Sequence, residues 1–128
     1  MVNSRNKGAS GERQVARILE DELGIKFKRN LDQYQTSDLG DLTPDVAIPF
    51  TIEVKTYAKG TGCRDVWWEQ VKKAAALTGL TPCVIYKYDR RPWRVALPLS
   101  HFMYDDHDQR VDVSIETFCY IIRERLGE

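Results

Sequence analysis

The stretch that decides the fold is residues 43–57, which read TPDVAIPFTIEVKTY. Residues 45–48 are apolar and β-branched, a proline break follows, and residues 51–57 alternate between polar and apolar side chains. The pattern predicts two short strands joined by a tight turn. Because successive side chains of a strand point to opposite faces, Glu53 and Lys55 should lie side by side on one face of the second strand.

Acidic side chains on and near this predicted hairpin are candidates for a metal site. Asp45 begins the first strand and could approach Glu53 where the two strands splay apart. Neighbouring carboxylates repel, and one pKa rises unless a cation lies between them. Oxygen ligands at this density suit Mg²⁺ or Mn²⁺. Asp38 and Asp41 are alternatives to Asp45, which we prefer because it alone begins an apolar strand.

The Glu-x-Lys pattern has a simpler interpretation when it is taken alone. A glutamate and a lysine two residues apart on a strand are more often a surface ion pair, which contributes little to stability. The flanking sequence must therefore decide between the two interpretations.

Size and composition predict one globular domain over residues 1–128 with a single core. The charged and hydrophobic fractions, 30% and 42%, are ordinary for a soluble protein. The sequence shows neither an apolar run of membrane-spanning length nor a signal-peptide core, so we expect a cytoplasmic protein. Its three cysteines are far apart and fit neither a disulfide framework nor a zinc site, so we expect reduced thiols.

The net charge is zero, but the charges are segregated along the chain. Residues 1–30 carry seven Lys/Arg against four Asp/Glu, and residues 31–58 carry one against five. Residues 59–94 carry eight against three, and residues 95–128 carry three against seven. An acidic centre flanked by two basic blocks is typical of a metal-dependent enzyme that acts on a polyanion.

The elements before the central stretch add a third acid. The apolar periodicity predicts a helix over residues 10–23, after a loose basic arm, and a strand over residues 25–30. Glu12 lies at helical spacing with the apolar side chains, so it projects from the buried side of the first turn. An acid in a first turn also complements the helix dipole, but that does not explain its place on the apolar side.

The second half predicts a helix, two strands and a final helix. A Gly-rich basic loop at residues 59–64 lacks the P-loop pattern and leads into a helix that Asp65 should cap. The predicted elements are a helix over residues 65–78, a strand over 83–88, an edge strand over 93–97, an acidic connection over 99–112 and a helix capped by Ser114. We expect His101 and His107 to be solvated, and Trp67 and Trp68 to serve burial rather than base stacking.

The order of these motifs resembles the PD-(D/E)XK nuclease superfamily. The pieces KGASGERQVARIL, PDVAI and IEVK, with a later Trp-x-x-Gln on a helix, are most similar to archaeal-type Holliday junction resolvases and their phage relatives. The resemblance implies an α/β fold with a restriction-endonuclease-like αβββαβ core, a central mixed sheet flanked by helices, and here an extra C-terminal helix.

The resemblance also implies a magnesium- or manganese-dependent DNA endonuclease, active as a homodimer on branched DNA. It assigns metal binding to Glu12, Asp45 and Glu53, positioning of the attacking water to Lys55, and a supporting role to Gln70. The basic residues expected to contact DNA are Arg5, Lys7, Lys28, Arg29, Lys59, Arg64, Lys72 and Lys73. Alternatives are a nicking or restriction-like nuclease on duplex or single-stranded DNA, and an accessory DNA-binding protein without turnover.

Overall fold

The structure, a computed structural model, describes residues 4–30 and 40–127, with side chains from residue 8 onward. The first half holds α1 (Ser4–Leu23), β1 (Phe27–Arg29), β2 (Leu42–Pro44) and β3 (Phe50–Tyr57). The second half holds α2 (Asp65–Thr78), β4 (Thr81–Tyr88), β5 (Arg94–Pro98), a 3₁₀ turn (Leu99–His101), β6 (Arg110–Ser114) and α3 (Ile115–Leu126).

In the described residues, six strands form one mixed sheet in the order β1-β2-β3-β4-β5-β6. Among these described strands, only β3 and β4 pair in parallel, with Phe50 opposite Thr81 and Tyr57 opposite Tyr88. The other neighbours pair antiparallel. The parallel pair needs a crossover, which α2 supplies. The predicted mixed sheet with flanking helices and a C-terminal helix is confirmed.

The two faces of the sheet are covered by different helices, which explains why β3 is buried on both sides. Ile52 and Val54 point to the layer that holds Val15 and Leu19 of α1 and Phe118 of α3. The opposite face packs against α2 through Trp67, Trp68 and Val71. Each core buries large apolar side chains, and such burial contributes about 1.5–3 kcal/mol per side chain. The site described below lies where β3 passes between these layers.

The strand predicted over residues 45–48 is absent, and the pairing partner of β3 lies earlier in the chain. β2 runs from Leu42 to Pro44, and Leu42 is the only residue of β2 that pairs with β3. Pro49 donates no hydrogen bond, and the chain from Asp45 bends away before β3 begins at Phe50. The tight hairpin predicted for residues 43–57 is therefore wrong, whereas its second strand is confirmed.

The sheet extends further than the sequence indicated. β6 occupies the end of the segment predicted to be an acidic connection, and it pairs with β5 from Arg94 to Pro98. β5 is consequently an interior strand rather than an edge strand. The alternation of Val111 and Val113 is a strand pattern. In a charged segment of five residues, however, that pattern is too short to be distinctive.

The structure also differs from several local predictions. α1 begins at Ser4 rather than Ser10. Arg64, not Asp65, is the N-cap of α2, and it makes no side-chain cap hydrogen bond. His101 is half-buried, with its ring 5.2 Å from that of Phe50, and burial lowers its pKa. His107 is exposed as predicted.

Two further local predictions, the cap of α3 and the burial of the paired tryptophans, are confirmed. Ser114 caps α3 by accepting a hydrogen bond from the backbone N–H of Thr117 at 3.1 Å. Trp67 and Trp68 are both buried, as expected for aromatic side chains that serve packing. The cysteines form no disulfide. Within the described ranges, no helix is both long and apolar enough to cross a membrane.

Candidate functional site

Glu53 is a carboxylate buried in the middle of the sheet. It is 3% exposed, and it lies on the face of β3 that α2 covers. Among the described residues, its Oε2 atom has no hydrogen-bond partner. A buried oxygen without a partner costs about 1–3 kcal/mol, and more when it is charged. The fold therefore tolerates an unfavourable group at this position.

A second carboxylate faces Glu53 from β2, and it belongs to Asp41. The backbone N–H of Asp41 donates to the Ile52 carbonyl at 2.8 Å, and extending the Leu42–Ile52 register by one residue sets Asp41 opposite Glu53. The Asp41 Oδ2 atom accepts a hydrogen bond from the Val54 N–H at 2.7 Å. Asp41 is itself 7% exposed.

Asp45 does not join this pair. β2 pairs with β3 at Leu42, whereas Pro44, next to Asp45, pairs with Phe27 of β1. Asp45 is exposed, and its backbone N–H donates to the Lys26 carbonyl. The placement expected for Asp45 is therefore wrong, and Asp41 occupies the position. Asp38 lies outside the described residues.

Two glycines allow the backbone approaches that assemble the site. A Cβ on Gly40 would lie 2.7 Å from the Ile52 carbonyl oxygen, and its φ of +80° is unfavourable for other residues. A Cβ on Gly11 would lie 2.8 Å from the Cγ2 atom of Thr56. The first contact brings Asp41 against β3, and the second brings the start of α1, with Glu12, against the same strand.

Glu12 lies at the rim of the site and is paired with a neighbouring strand. The Arg29 Nε atom donates to the Glu12 Oε1 atom at 2.8 Å, and both side chains are partly buried. Burial raises the pKa of Glu12, the Arg29 hydrogen bond lowers it, and the Asp41 charge raises it again. The predicted inward orientation of Glu12 is thus confirmed, and Arg29, which the sequence assigns to DNA contact, pairs with this carboxylate.

Lys55 projects from the same face of β3 as Glu53 and reaches α2. Its Nζ atom donates to the Oε1 atom of Gln70 at 2.9 Å. This hydrogen bond crosses from sheet to helix, so the position of α2 fixes the direction of the lysine. Glu53, Lys55 and Gln70 are the sequence-predicted site residues that the structure brings together, with Glu12 close by.

The charges of the site are strongly coupled. Burial raises the pKa of Glu53 to about 9, with further rises from the Asp41 charge and from a hydrogen bond to Asp41. Lys55 lowers the pKa by a smaller amount. Without a cation, burial and the Asp41 charge therefore favour the protonated form of Glu53 at neutral pH.

The donor set fits one small divalent cation. Two adjacent carboxylates, one with an unpartnered buried oxygen, are ligands of the kind that Mg²⁺ binds while it keeps most of its waters. Over residues 4–30 and 40–127, no three His, Cys, Asp or Glu side chains stand in a ready-made metal cluster. Arg29 holds the third carboxylate, that of Glu12, at the rim.

A groove of about 540 Å³ leads to Glu53 along the outer side of α2. Gln70, Lys73 and Leu77 line it. Lys73 is exposed and faces this groove, whereas Lys72 points away and pairs with Asp108. The side chains of these adjacent lysines therefore lie on different sides of α2.

The remaining basic residues do not converge on the groove as one set. Lys28 and Lys59 are exposed. The Arg64 guanidinium lies over the ring of Tyr57, 3.8 Å from its centroid. The side chains of Arg5 and Lys7 lie outside the described residues.

Sequence reasoning ranked Asp41 behind Asp45 and did not place Arg29 beside Glu12. Asp41 follows a glycine and precedes a three-residue strand, a context that gives no periodic signal. Arg29 ends β1 and could have been matched to Glu12 only if the packing of α1 on β1 were known. Gly40 was the available clue for Asp41, since a glycine often marks a close backbone approach.

The site thus combines two acids and a lysine with a glutamate that a neighbouring helix carries. A family model described as "Phage putative PDDEXK endonuclease" matches residues 3–127. The chain belongs to this family.

Individual relatives agree with that assignment. Protein D14 of Escherichia phage T5 is 28% identical over 123 residues, which cover 82% of this chain and 77% of that protein. Among solved structures, Hjc of Archaeoglobus fulgidus, a Holliday junction resolvase, superposes with a TM-score of 0.59 at 17% identity. The superposition covers 87% of this chain and 97% of Hjc, which confirms a fold of the restriction-endonuclease-like type.

Proposed function

We propose that this member of the phage PDDEXK endonuclease family is a divalent-metal-dependent DNA endonuclease that cuts branched DNA. The observation that carries the proposal is the buried Asp41–Glu53 carboxylate pair beside Lys55 at the end of a groove. Without a cation this pair is unfavourable, which is a reason to expect that a cation binds there.

Each side chain has a role that its position supports. Asp41 and Glu53 would hold the metal, and Glu12 would support it from the rim through a water or after release from Arg29. A divalent ion bound there would lower the pKa of its bound water and would neutralise the charge that develops on the phosphate during in-line displacement.

Lys55 would orient the attacking water and neutralise charge on the phosphate. Gln70 fixes the lysine ammonium by accepting its hydrogen bond at 2.9 Å. Lys73, on the groove wall, would bind the DNA backbone without reading its sequence.

Branched DNA is the substrate that the fold favours, since the Hjc structure is that of a Holliday junction resolvase. A homodimer would suit such a substrate, because a two-fold axis places two identical sites at a fixed spacing. A nicking or restriction-like nuclease on duplex or single-stranded DNA is the alternative activity. An accessory protein without turnover would gain nothing from a carboxylate pair close to phosphates.

The test is cleavage of labelled four-way junction, fork, duplex and single strand in Mg²⁺, in Mn²⁺ and in EDTA. We expect cleavage that requires the metal, is fastest on the branched substrates and is lost in Glu53→Gln. Cleavage at equal rates on all four substrates would refute the preference for branches. Cleavage in EDTA, or none on any substrate, would refute the metal-dependent nuclease.

A further inference from the structure

A second cavity lies on the α2 side of the sheet, beyond the candidate active site. It has a volume of about 600 Å³, within the range of small-molecule pockets. Its floor is the face of β4, β5 and β6 that α2 leaves uncovered, and its outer wall is the Gly-rich loop that joins β3 to α2. None of the roles assigned above uses this cavity.

The charge of the cavity favours an anion. Three arginines, Arg91, Arg94 and Arg110, line it against one acid, Asp112. Cys63 also lines it, and burial raises the pKa of that thiol to about 11, so it stays neutral at physiological pH. Asp65 pairs with Arg110 from beside the lining, so the three arginines exceed the two acids that pair with them by one positive charge.

Two of the arginines are fixed by the surrounding structure. The Arg94 Nε atom donates to Asp112 at 2.6 Å, and Arg110 donates to the Cys63 carbonyl at 2.9 Å and to Asp65 at 2.7 Å. Guanidinium groups held in this way are preorganised and match the geometry of a phosphate.

Arg91 differs, because it lies at the exposed mouth. In the described part of the chain its side chain forms no ion pair or hydrogen bond; only its backbone N–H is engaged, with the Tyr88 carbonyl. It is thus available to close over a ligand.

Part of the remaining lining is apolar and suits a flat ring. Pro92, Ala96 and Val111 face the cavity beside the three arginines. An anionic end and an apolar planar end together describe a nucleotide. A cavity of this volume suits a ligand of the size of one nucleotide rather than a duplex.

The position of the cavity links it to the candidate active site. Lys55 pairs with Tyr86, and Tyr86 pairs with Arg94, so the three residues form a row across neighbouring strands. At about 4.8 Å per strand, the backbone of Arg94 lies roughly 10 Å from that of Lys55. That is about three base steps of a DNA strand.

From these observations we infer that the cavity lined by Arg91, Arg94 and Arg110 binds one unpaired nucleotide of the DNA substrate. This inference rests on the proposed nuclease function. A branch point or strand end offers such a nucleotide, whereas continuous duplex does not, so the cavity would contribute to a preference for branched DNA.

The test compares two adjacent arginines of the same turn. Arg90 and Arg91 are both exposed, but only Arg91 lines the cavity. Arg91→Glu and Arg90→Glu therefore change the net charge equally. Binding of dAMP, inorganic phosphate, an acidic peptide and a single-stranded oligonucleotide would be measured by calorimetry in EDTA, so that nothing is held through a metal.

We expect Arg91→Glu to weaken dAMP and oligonucleotide binding about tenfold, and Arg90→Glu to weaken it less than threefold. Phosphate and the acidic peptide should bind more weakly than dAMP to the unaltered protein. Equal effects of the two substitutions would overturn the inference, as would phosphate or peptide binding as tightly as dAMP. Loss of dAMP binding alone, with oligonucleotide binding unaffected, would overturn the assignment to DNA.

The test of the cavity and the test of the nuclease function can fail independently. Suppose that cleavage requires the metal but Arg90→Glu and Arg91→Glu weaken binding equally. The assignment of the cavity to a nucleotide would then be refuted, and the nuclease function would stand. Absence of cleavage combined with Arg91-dependent dAMP binding would refute the nuclease and leave a nucleotide-binding cavity.

Discussion

Asp41 and Asp45 are four residues apart, yet only one of them faces Glu53. Asp41 is buried and accepts the Val54 N–H, whereas Asp45 is exposed beyond the end of β2. We expect Asp41→Asn to lower the cleavage rate by more than about 100-fold, because even groups that only support a metal ligand contribute about 10–100-fold. Single-turnover cleavage in saturating Mg²⁺ is the measurement.

Asp45→Asn is the matched control, since it removes the same charge from the same loop region. Its rate should stay within about twofold of the unaltered protein. If Asp45→Asn were the inactive variant, the assignment of Asp41 would be lost, together with the role of the Asp41–Glu53 pair.

The raised pKa of Glu53 predicts how stability depends on pH. Its pKa is about 9 in the folded, metal-free protein against 4.5 for an unperturbed glutamate. Between these values the folded state binds a proton that the unfolded state has released, so stability falls as pH rises, by up to about 1.4 kcal/mol per pH unit. Glu53→Gln removes this titration.

Thermal unfolding in EDTA between pH 5 and pH 9 measures the effect. The unaltered protein should lose stability relative to Glu53→Gln as the pH rises, and Mg²⁺ should reverse the loss, because it replaces the proton. Parallel pH profiles for the two proteins would show that Glu53 is not protonated in the folded state.

At the scale of elements, α2 carries the residue that holds Lys55 in place. The hydrogen bond from Lys55 to Gln70 is the polar link between β3 and this helix at the site. Gln70→Ala should lower kcat about tenfold with little change in KM, since the ammonium loses its fixed direction but DNA still binds.

Gln109→Ala is the control, because Gln109 is an exposed glutamine outside the groove. Its kinetics should be unchanged. A rise in KM without a change in kcat in Gln70→Ala would instead indicate that Gln70 binds DNA directly.

The length of an element decides whether its position can be predicted from the sequence pattern. β3, α2, β4 and α3 have long periodic runs, and their positions were predicted closely. β2 and β6 have three and five residues, and such short strands exist because neighbours supply their hydrogen bonds. The local sequence of β2, which reads LTP, carries no strand signal of its own, so its pairing could not be predicted.

At the scale of the whole molecule, the proposed DNA contact would depend on which basic residues face the groove. Lys73 lines the groove, whereas Lys72 forms ion pairs with Asp108 and Glu69. We expect Lys73→Glu to weaken DNA binding and to reduce the slope of log affinity against log salt by about 0.9, the value for one phosphate contact. A salt series on junction and duplex measures both.

Lys72→Glu makes the same change of charge one residue away. Its salt slope should match that of the unaltered protein. Equal slopes for the two variants would mean that DNA does not lie along the groove on the outer side of α2.

The sequence by itself determined the fold class, most of the elements and the strand that carries Glu53 and Lys55. Alternation along β3 set Glu53 and Lys55 on one face, and helical spacing set Glu12 on the inner side of α1. These are properties of neighbouring residues, and the geometry of a strand or helix fixes them wherever the element packs.

Only the tertiary structure decided which carboxylate joins Glu53 and which basic residues face the groove. Asp41 was chosen by a single backbone pairing and by the close approach of Gly40 to β3. Arg29 pairs with Glu12, and Lys72 pairs with Asp108, because folding brings segments that are distant in the chain into contact. Such convergence depends on strand register and on burial, and neither is encoded in local periodicity.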